Sequence, residues 1–449
     1  PVDTSCWEEF SMKKFTGLIF GLTLLAQDIK IPIIKSGERP ALAVIDFRGT
    51  GAAQTFMGPF NESLFGDVQT SGLFRMISKS VYPLENPQRP EDFQPSSGKG
   101  LAMADWSGAP TKANYLAFGY TAVQSGQLVL YGWLYDLRQN TLQSAQVIGK
   151  RYFGTVDEAG ARKVAHEFAA DIIAQFGGGS LLGSRIYFVS DRTGNKEIWS
   201  MDYDGSNQKQ VTFFKSISIM PSVSPDGSRL AFTSFAKGQP RIMLWSTETN
   251  RQLPFYNQAA SLNETATFTP DSKQIFYSSS ASGYAQIYVA NLDGTNFRRI
   301  SNSRAIEVEP KVNPKTGNEL VFVSGRSGPQ QIFRMNTDGA DVERLTNGEG
   351  EAANPSWHPD GQHLLYAWTR GYATGAFNIF LMDASTRQFD QLTFGAGKNE
   401  NPNWAPDGRH LVFTSTRTGT SQIWTMLADG TQLQQLTSRG KNQFPVWGK

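Results

Sequence analysis

SPDGSRLAFTS at 224–234, TPDSKQIFYSS at 269–279, NPKTGNELVFVS at 313–324, HPDGQHLLYAW at 358–368 and APDGRHLVFTS at 405–415 are five versions of one phrase. Each opens on a proline turn and continues as an apolar strand. Pro225, Pro270, Pro314, Pro359 and Pro406 follow one another at 44 to 47 residues, a period typical of stacked repeats. Outward from the phrase, a second strand centres on Ile198-Trp199, Met243-Leu244, Ile287-Tyr288, Ile332-Phe333, Ile379-Phe380 and Ile423-Trp424. A turn such as Asp204-Gly205 or Asp429-Gly430 follows, and then a third strand ending in pairs such as Val211-Thr212 or Leu436-Thr437. A short fourth strand precedes the proline turn, at 221–223, 266–268, 310–312, 355–357, 402–404 and 445–447.

These strands count out six units, but the ends do not match. RIYFVS at 185–190 opens a unit with no short strand before it, and 445–447 is a short strand with no unit after it. A ring reconciles the two, with the last strand completing the first unit. The expected fold over 184–449 is therefore an all-β six-bladed β-propeller closed by its C-terminal strand. A four-stranded blade cannot bury both of its faces alone, so Trp199, Trp357, Trp404, Trp424 and Trp447 are expected to pack between blades.

Residues 39–178 read differently, as a small α/β domain. ALAVIDF at 41–47 is a strand, 64–74 a helix ending near Gly72, and the Pro-, Ser- and Gln-rich stretch 82–100 an exposed loop. Strands at 115–123 and 128–137 flank Gln124-Ser125-Gly126-Gln127, a hairpin signal. A helix over 156–176 is predicted from a Thr155/Glu158 capping box and the stripe Val164, Phe168, Ile172 and Phe176. Gly177-Gly178-Gly179-Ser180 then marks the boundary.

The front of the chain reads as an address. Met12-Lys13-Lys14 and the apolar FTGLIFGLTLLA at 15–26 have the form of a secretory signal, with 1–11 an upstream extension; a buried helix is the alternative. Export places the mature protein in a soluble compartment outside the cytoplasmic membrane. The one cysteine, Cys6, precedes the signal, so neither a disulfide framework nor a cysteine zinc site is expected. The 42 Lys and Arg balance 40 Asp and Glu, and no run of eighteen apolar residues occurs. Neither nucleic acid nor a membrane span is therefore expected, and the mature protein is expected to be a monomer.

Strand parity assigns the loops. Successive strands alternate in direction, so the short, uniform PDG and DG turns share one face. The other face carries the blade connections and the variable loops at 191–196, 235–239, 326–329 and 369–376. Function belongs on that face. Glu264, Glu309, Asn354, Glu400, Asn401, Asn442 and Gln443, near the start of the inner strands, are expected to rim the channel mouth there. This rim suits a protein loop or a cation.

Catalytic signals are missing. No Gly-x-Ser-x-Gly elbow occurs, and the chain ends at the propeller without room for a hydrolase domain. His166 falls in the long helix, while His358, His363 and His410 fall in repeat turns and strands, so no metal-ligand cluster and no cofactor are expected. Asp202-Tyr203-Asp204-Gly205 lacks the remaining ligands of a calcium loop. The rival reading is a propeller enzyme, a glycan or peptide hydrolase or lyase, because paired channel carboxylates are set by ring position rather than by sequence spacing.

The ordered combination of Arg39-Pro40, ALAVIDF, Ser71-Gly72-Leu73-Phe74, Trp106-Ser107, Ala165-His166, Asp171, Arg185-Ile186 and DYDGSNQ at 202–208 resembles the TolB family of the Tol–Pal system, over nearly all of the chain after Met12. The resemblance implies a non-enzymatic periplasmic scaffold that supports outer-membrane integrity and constriction at division. It implies two partners, the lipoprotein Pal at the propeller channel mouth and TolA at the segment after the signal. Here that segment is QDIKIPIIKSGE at 27–38, with Asp28, Ile29, Ile31 and Ile33 as the TolA candidates; their alternation suits a strand able to add to a sheet edge. The rim residues are the Pal candidates.

Overall fold

The structure is a computed structural model and describes residues 39–95 and 98–449. Cys6, the signal segment and the TolA-facing segment, with Asp28, Ile29, Ile31 and Ile33, lie outside the described residues.

The α/β region is built on a mixed sheet ordered Arg75–Met76, Ala41–Val44, Tyr115–Gln124, Gln127–Asp136 and Gln146–Gly154. Ala41–Val44 runs parallel to both neighbours, which requires crossovers, and the Met57–Thr70 helix lies on the first of them. The last three strands form an antiparallel meander. Its first turn places Ser125 and Gly126 at φ 49° and 73°, the two left-handed residues of a tight hairpin. The Glu158–Gln175 helix buries Val164, Phe168 and Ile172 with the sheet residues Leu128, Leu130 and Leu134.

Three local expectations change. The long helix is capped by Asp157, whose Oδ1 accepts the Gly160 N–H at 2.7 Å, while Thr155 donates its hydroxyl to that carboxylate. The earlier helix runs over Met57–Thr70 instead of 64–74, because Gly58 and Pro59 fall in its first turn, where proline costs no hydrogen bond. The edge strand Gln146–Gly154 was not anticipated, since only Ile148 and Tyr152 of it are buried and the apolar alternation is faint.

The propeller has six four-stranded sheets. Five are continuous in sequence, and the sixth is ordered Asn442–Gly448, Arg185–Ser190, Glu197–Asp202, Lys209–Gln210. The predicted closure is therefore present, with Val446 and Trp447 paired to Tyr187 and Ile186. The strand that precedes each proline turn is the innermost and spans six or seven residues, as in Ser218–Val223. The two- or three-residue strands are the outermost, such as Lys209–Gln210. Trp357 and Trp404 end two inner strands, Trp447 is the last but one residue of a third, and all three are buried. Trp199 and Trp424 form a second set, half-buried beneath the guanidinium groups of Arg192 and Arg417.

The α/β region docks on the face of short turns. His410 Nε2 meets the Thr70 carbonyl at 2.7 Å, Arg409 donates to the carbonyls of Ser71 and Gly179, and Arg39 pairs with Asp429. Tyr203 donates to Asp67 at 2.8 Å, and His166 Nδ1 lies 2.6 Å from the same carboxylate. Burial opposes the His166 imidazolium, but the hydrogen bond and charge of Asp67 outweigh it and hold the group above its ordinary value. Removing the tyrosine hydroxyl with Tyr203→Phe should cost about 1.5–3 kcal/mol, the worth of a hydrogen bond to a charged group, and lower the melting midpoint. The His166 contribution is complete below about pH 6.5 and is lost as pH climbs through the raised folded value. Melting curves of His166→Gln across pH 5–9 should lack that slope.

Candidate functional site at the channel mouth

Each inner strand is broken at its third residue. Met220, Thr265, Glu309, Asn354, Asn401 and Phe444 all have φ between 52° and 55°, and each coincides with a register shift against the next strand. A left-handed non-glycine residue costs roughly 1–2 kcal/mol, so six in one ring is a concentrated strain. The strand interruptions are β-bulges, which re-aim a side chain. Proline follows in five blades, where the interrupted ladder has no use for an N–H. All six bulge residues line one cavity on the propeller axis.

Four consecutive blades join their bulges into a polar arc. Glu309 N–H donates to Thr265 Oγ1 at 3.4 Å, and Asn354 donates to Glu309 through its backbone N–H at 2.7 Å and its side-chain amide at 3.0 Å. Asn401 N–H then donates to Asn354 Oδ1 at 3.3 Å. The side chains of Thr265, Glu309 and Asn354 thus each accept the backbone N–H of the next bulge. Met220 and Phe444 complete the ring with an apolar arc. Burial pushes the Glu309 carboxyl up, only partly offset by the Asn354 backbone hydrogen bond and then the Lys311 charge, and pushes the Lys311 ammonium down against the charge of Glu309. Burial, and then the charge of Glu309, also raise Glu264, while burial raises Glu400 against the opposing charge of Lys398.

Of the residues expected at the rim, Glu309, Asn354 and Asn401 line the cavity. Glu264, Glu400 and Gln443 stand one position earlier on their strands and are half-buried. Gln443 accepts from Lys196 Nζ at 3.3 Å. Asn442 is not at the rim; it is fully buried and bonded to Gln422 and Arg192. Met220, Thr265 and Phe444 were missed. Their common signal is the position one before Pro221, Ala266 and Pro445, shared with Glu309, Asn354 and Asn401.

The variable loops contain fixed anchors. Arg192, Arg326 and Arg417, two residues past their strands, bond to Asn442, Glu307 and Asn399, the first residues of the inner strands. Each guanidinium also lies 4.5–5.1 Å from an aromatic ring of the strand that follows its loop, at Trp199, Phe333 and Trp424. Between these anchors the rim divides. Ile217 and Ile306 are exposed aliphatics just ahead of two inner strands, whereas Lys398 and Lys441 are exposed cations at the equivalent place in two others. The α/β region occupies the opposite face, so the mouth formed by these loops faces away from it. Among the described residues, no helix is long and apolar enough to cross a membrane.

The family described as TolB beta propeller domain matches residues 175–374 and 347–449. The chain is 31% identical over 232 residues to the Protein TolB homolog of Chlorobium chlorochromatii (strain CaD3), covering 51% of this chain and 49% of that one. It is 33% identical over 196 residues to the Tol-Pal system protein TolB of Desulfosudis oleivorans, covering 42% of this chain and 40% of that protein. The chain spans about half the length of the curated relatives it matches. Its fold is similar to the crystal structure of TolB from Acinetobacter baumannii, with a TM-score of 0.76, 21% identity, and coverage of 92% of this chain and 97% of that one.

Proposed function

Because the chain belongs to the TolB β-propeller family, we propose that it is a non-enzymatic periplasmic TolB of a Tol–Pal system, exported by the signal at 12–26. In this reading the propeller mouth binds Pal, the segment 27–38 binds TolA, and the assembly supports outer-membrane integrity and constriction at division. The observation that carries it is the ring of six left-handed bulge residues, a strained and preorganised set of polar and apolar groups on the face away from the α/β region. A rigid mouth of this kind accepts a protein loop without first having to order itself.

The test is calorimetric titration with purified Pal. Glu309→Thr, which installs the residue found at the equivalent place in the neighbouring blade, and Asn401→Ala should together weaken Pal at least about tenfold, the loss of roughly 1.4 kcal/mol. The variant should keep its cooperative melt; unchanged Pal affinity would overturn the site. Deleting 27–38 should abolish TolA binding and leave Pal binding intact. One observation favours the rival enzyme reading, the raised carboxyl of Glu309 in the channel and that of Glu264, raised by burial and then by the charge of Glu309. Turnover of a glycan or peptide that disappears in Glu264→Gln would establish that reading instead.

A further inference from the structure

The four histidines are not all bland turn residues. In the fifth blade, His358, Asp360 and His363 converge at the tight turn, with their ligand atoms within 4.8 Å of one another. His358 Nδ1 is 3.0 Å from one oxygen of Asp360, and His363 Nδ1 is 2.7 Å from the other. The imidazole planes stand at 84° with centroids 5.9 Å apart, so the two rings approach the carboxylate from different directions. Both histidine side chains are largely buried, at 12% and 13% exposure, while Asp360 opens to solvent at 37%.

The protons make this arrangement informative. His358 Nε2 sits 2.7 Å from the Gly408 carbonyl of the sixth blade, which requires an N–H at Nε2. The Asp360 amide N–H points at His358 Nδ1 from 3.0 Å, and one Asp360 carboxylate oxygen lies at the same distance from that nitrogen. Imidazole and carboxylate thus converge on one point from the turn itself, where an ion would be held by both. His363 follows the same plan, for its Nε2 faces the Asp383 carboxylate at 3.9 Å, which is itself held by Gln362. Metal-bound histidines characteristically direct their second nitrogen at a carbonyl or carboxylate in this way.

Sibling turns supply an internal comparison. The position of His358 is Ser224, Thr269, Asn313 and Ala405 in the others, and only the sixth blade repeats the second histidine, as His410. His410 spends its Nε2 on the Thr70 carbonyl, where the α/β region docks. Among the described residues, no other group of three His, Cys, Asp or Glu side chains converges as this one does.

We propose that His358, Asp360 and His363 bind one divalent transition-metal ion of the zinc class, which fixes the turn that His358 Nε2 joins to the sixth blade. Two imidazole nitrogens and one carboxylate suit Zn²⁺, Co²⁺ or Ni²⁺, with the remaining coordination position open to water. Ca²⁺ and Mg²⁺ prefer all-oxygen shells. Coordination replaces the Asp360 amide as the partner of His358 Nδ1.

The test uses the full chain with Cys6→Ser, without a polyhistidine tag, after dialysis against a chelator. Zn²⁺ calorimetry and Co²⁺ visible absorption should give one equivalent, with Ca²⁺ and Mg²⁺ giving none. His358→Asn and His363→Gln place in this turn the residues of two sibling turns, Asn313 and Gln274, so both variants should melt near the parent midpoint without metal. Each should weaken Zn²⁺ by at least about tenfold, the lower bound for losing even an indirect contact to a metal site. Zn²⁺ should raise the melting midpoint of the parent and not of the double variant. Absence of saturable Zn²⁺ binding, or one-equivalent binding that survives the double variant, would overturn the site.

Discussion

Truncation after Arg439 is expected to destroy the cooperative melt of the propeller and to yield an oligomerising chain. The lost strand, Asn442–Gly448, is the innermost of the first blade and its register runs from Asn442 opposite Ser190 to Gly448 opposite Arg185. Without it, Arg185–Ser190 presents an open ladder of amides and carbonyls, an invitation to pair with another chain. The truncation also uncovers Ile186, Phe188, Ala405 and Val412, which share a core cluster with Trp447. A milder variant isolates the packing contribution. Trp447 is 6% exposed, donates Nε1–H to Ser184 Oγ at 3.0 Å, and donates its backbone N–H to Asn403 Oδ1 at 2.7 Å. Trp447→Ala should cost about 3–5 kcal/mol and lower the propeller midpoint by roughly 10 °C. Calorimetry and size-exclusion chromatography check both; a monomeric truncation with the parent melt would refute ring closure as the source of stability.

Arg326→Ala is the second large effect. The Glu307 side chain is fully buried, and Arg326 reaches it through both Nε, at 3.0 Å, and Nη2, with Ser324 as the other donor. Removing the guanidinium leaves a buried carboxylate without its counter-charge, which costs about 3–5 kcal/mol. The equivalent inner-strand residues in two other blades, Asn399 and Asn442, are neutral. The double variant Glu307→Asn with Arg326→Ala should therefore recover most of the loss. Denaturant midpoints of the two variants decide it: equal destabilisation would mean that Arg326 acts by packing on Phe322 and Phe333, not by charge.

The anchoring arginines show what could be read from the chain and what could not. Their spacing, Ser190-Asp191-Arg192, Ser324-Gly325-Arg326 and Ser415-Thr416-Arg417, is plain once the blades are aligned. Their partners are less so: Arg326 and Arg417 reach 19 and 18 residues back to the first residue of the adjoining inner strand, whereas Arg192 meets Asn442, 250 residues away, only because the ring closes. Asn442 illustrates the same gap. Its place at the start of an inner strand was legible, but whether the side chain faced the channel or the blade seam depended on a bulge two residues later.

Repetition alone determined the architecture: a period of 44 to 47 residues with unmatched ends admits a closed ring, since a blade with an uncovered face is not stable by itself. The α/β region was likewise legible in its hairpin and its long helix, where turn chemistry and apolar spacing act locally. Only the tertiary structure decided which side chains meet. The left-handed bulges turn Met220, Thr265, Glu309, Asn354, Asn401 and Phe444 onto one axis, and the docking of Tyr203 on Asp67 leaves the opposite mouth open. The physical reason is that a repeat conveys strand direction through short-range pattern, whereas a site on the axis is assembled from single residues of six blades, each aimed by a backbone dihedral that apolar periodicity does not encode.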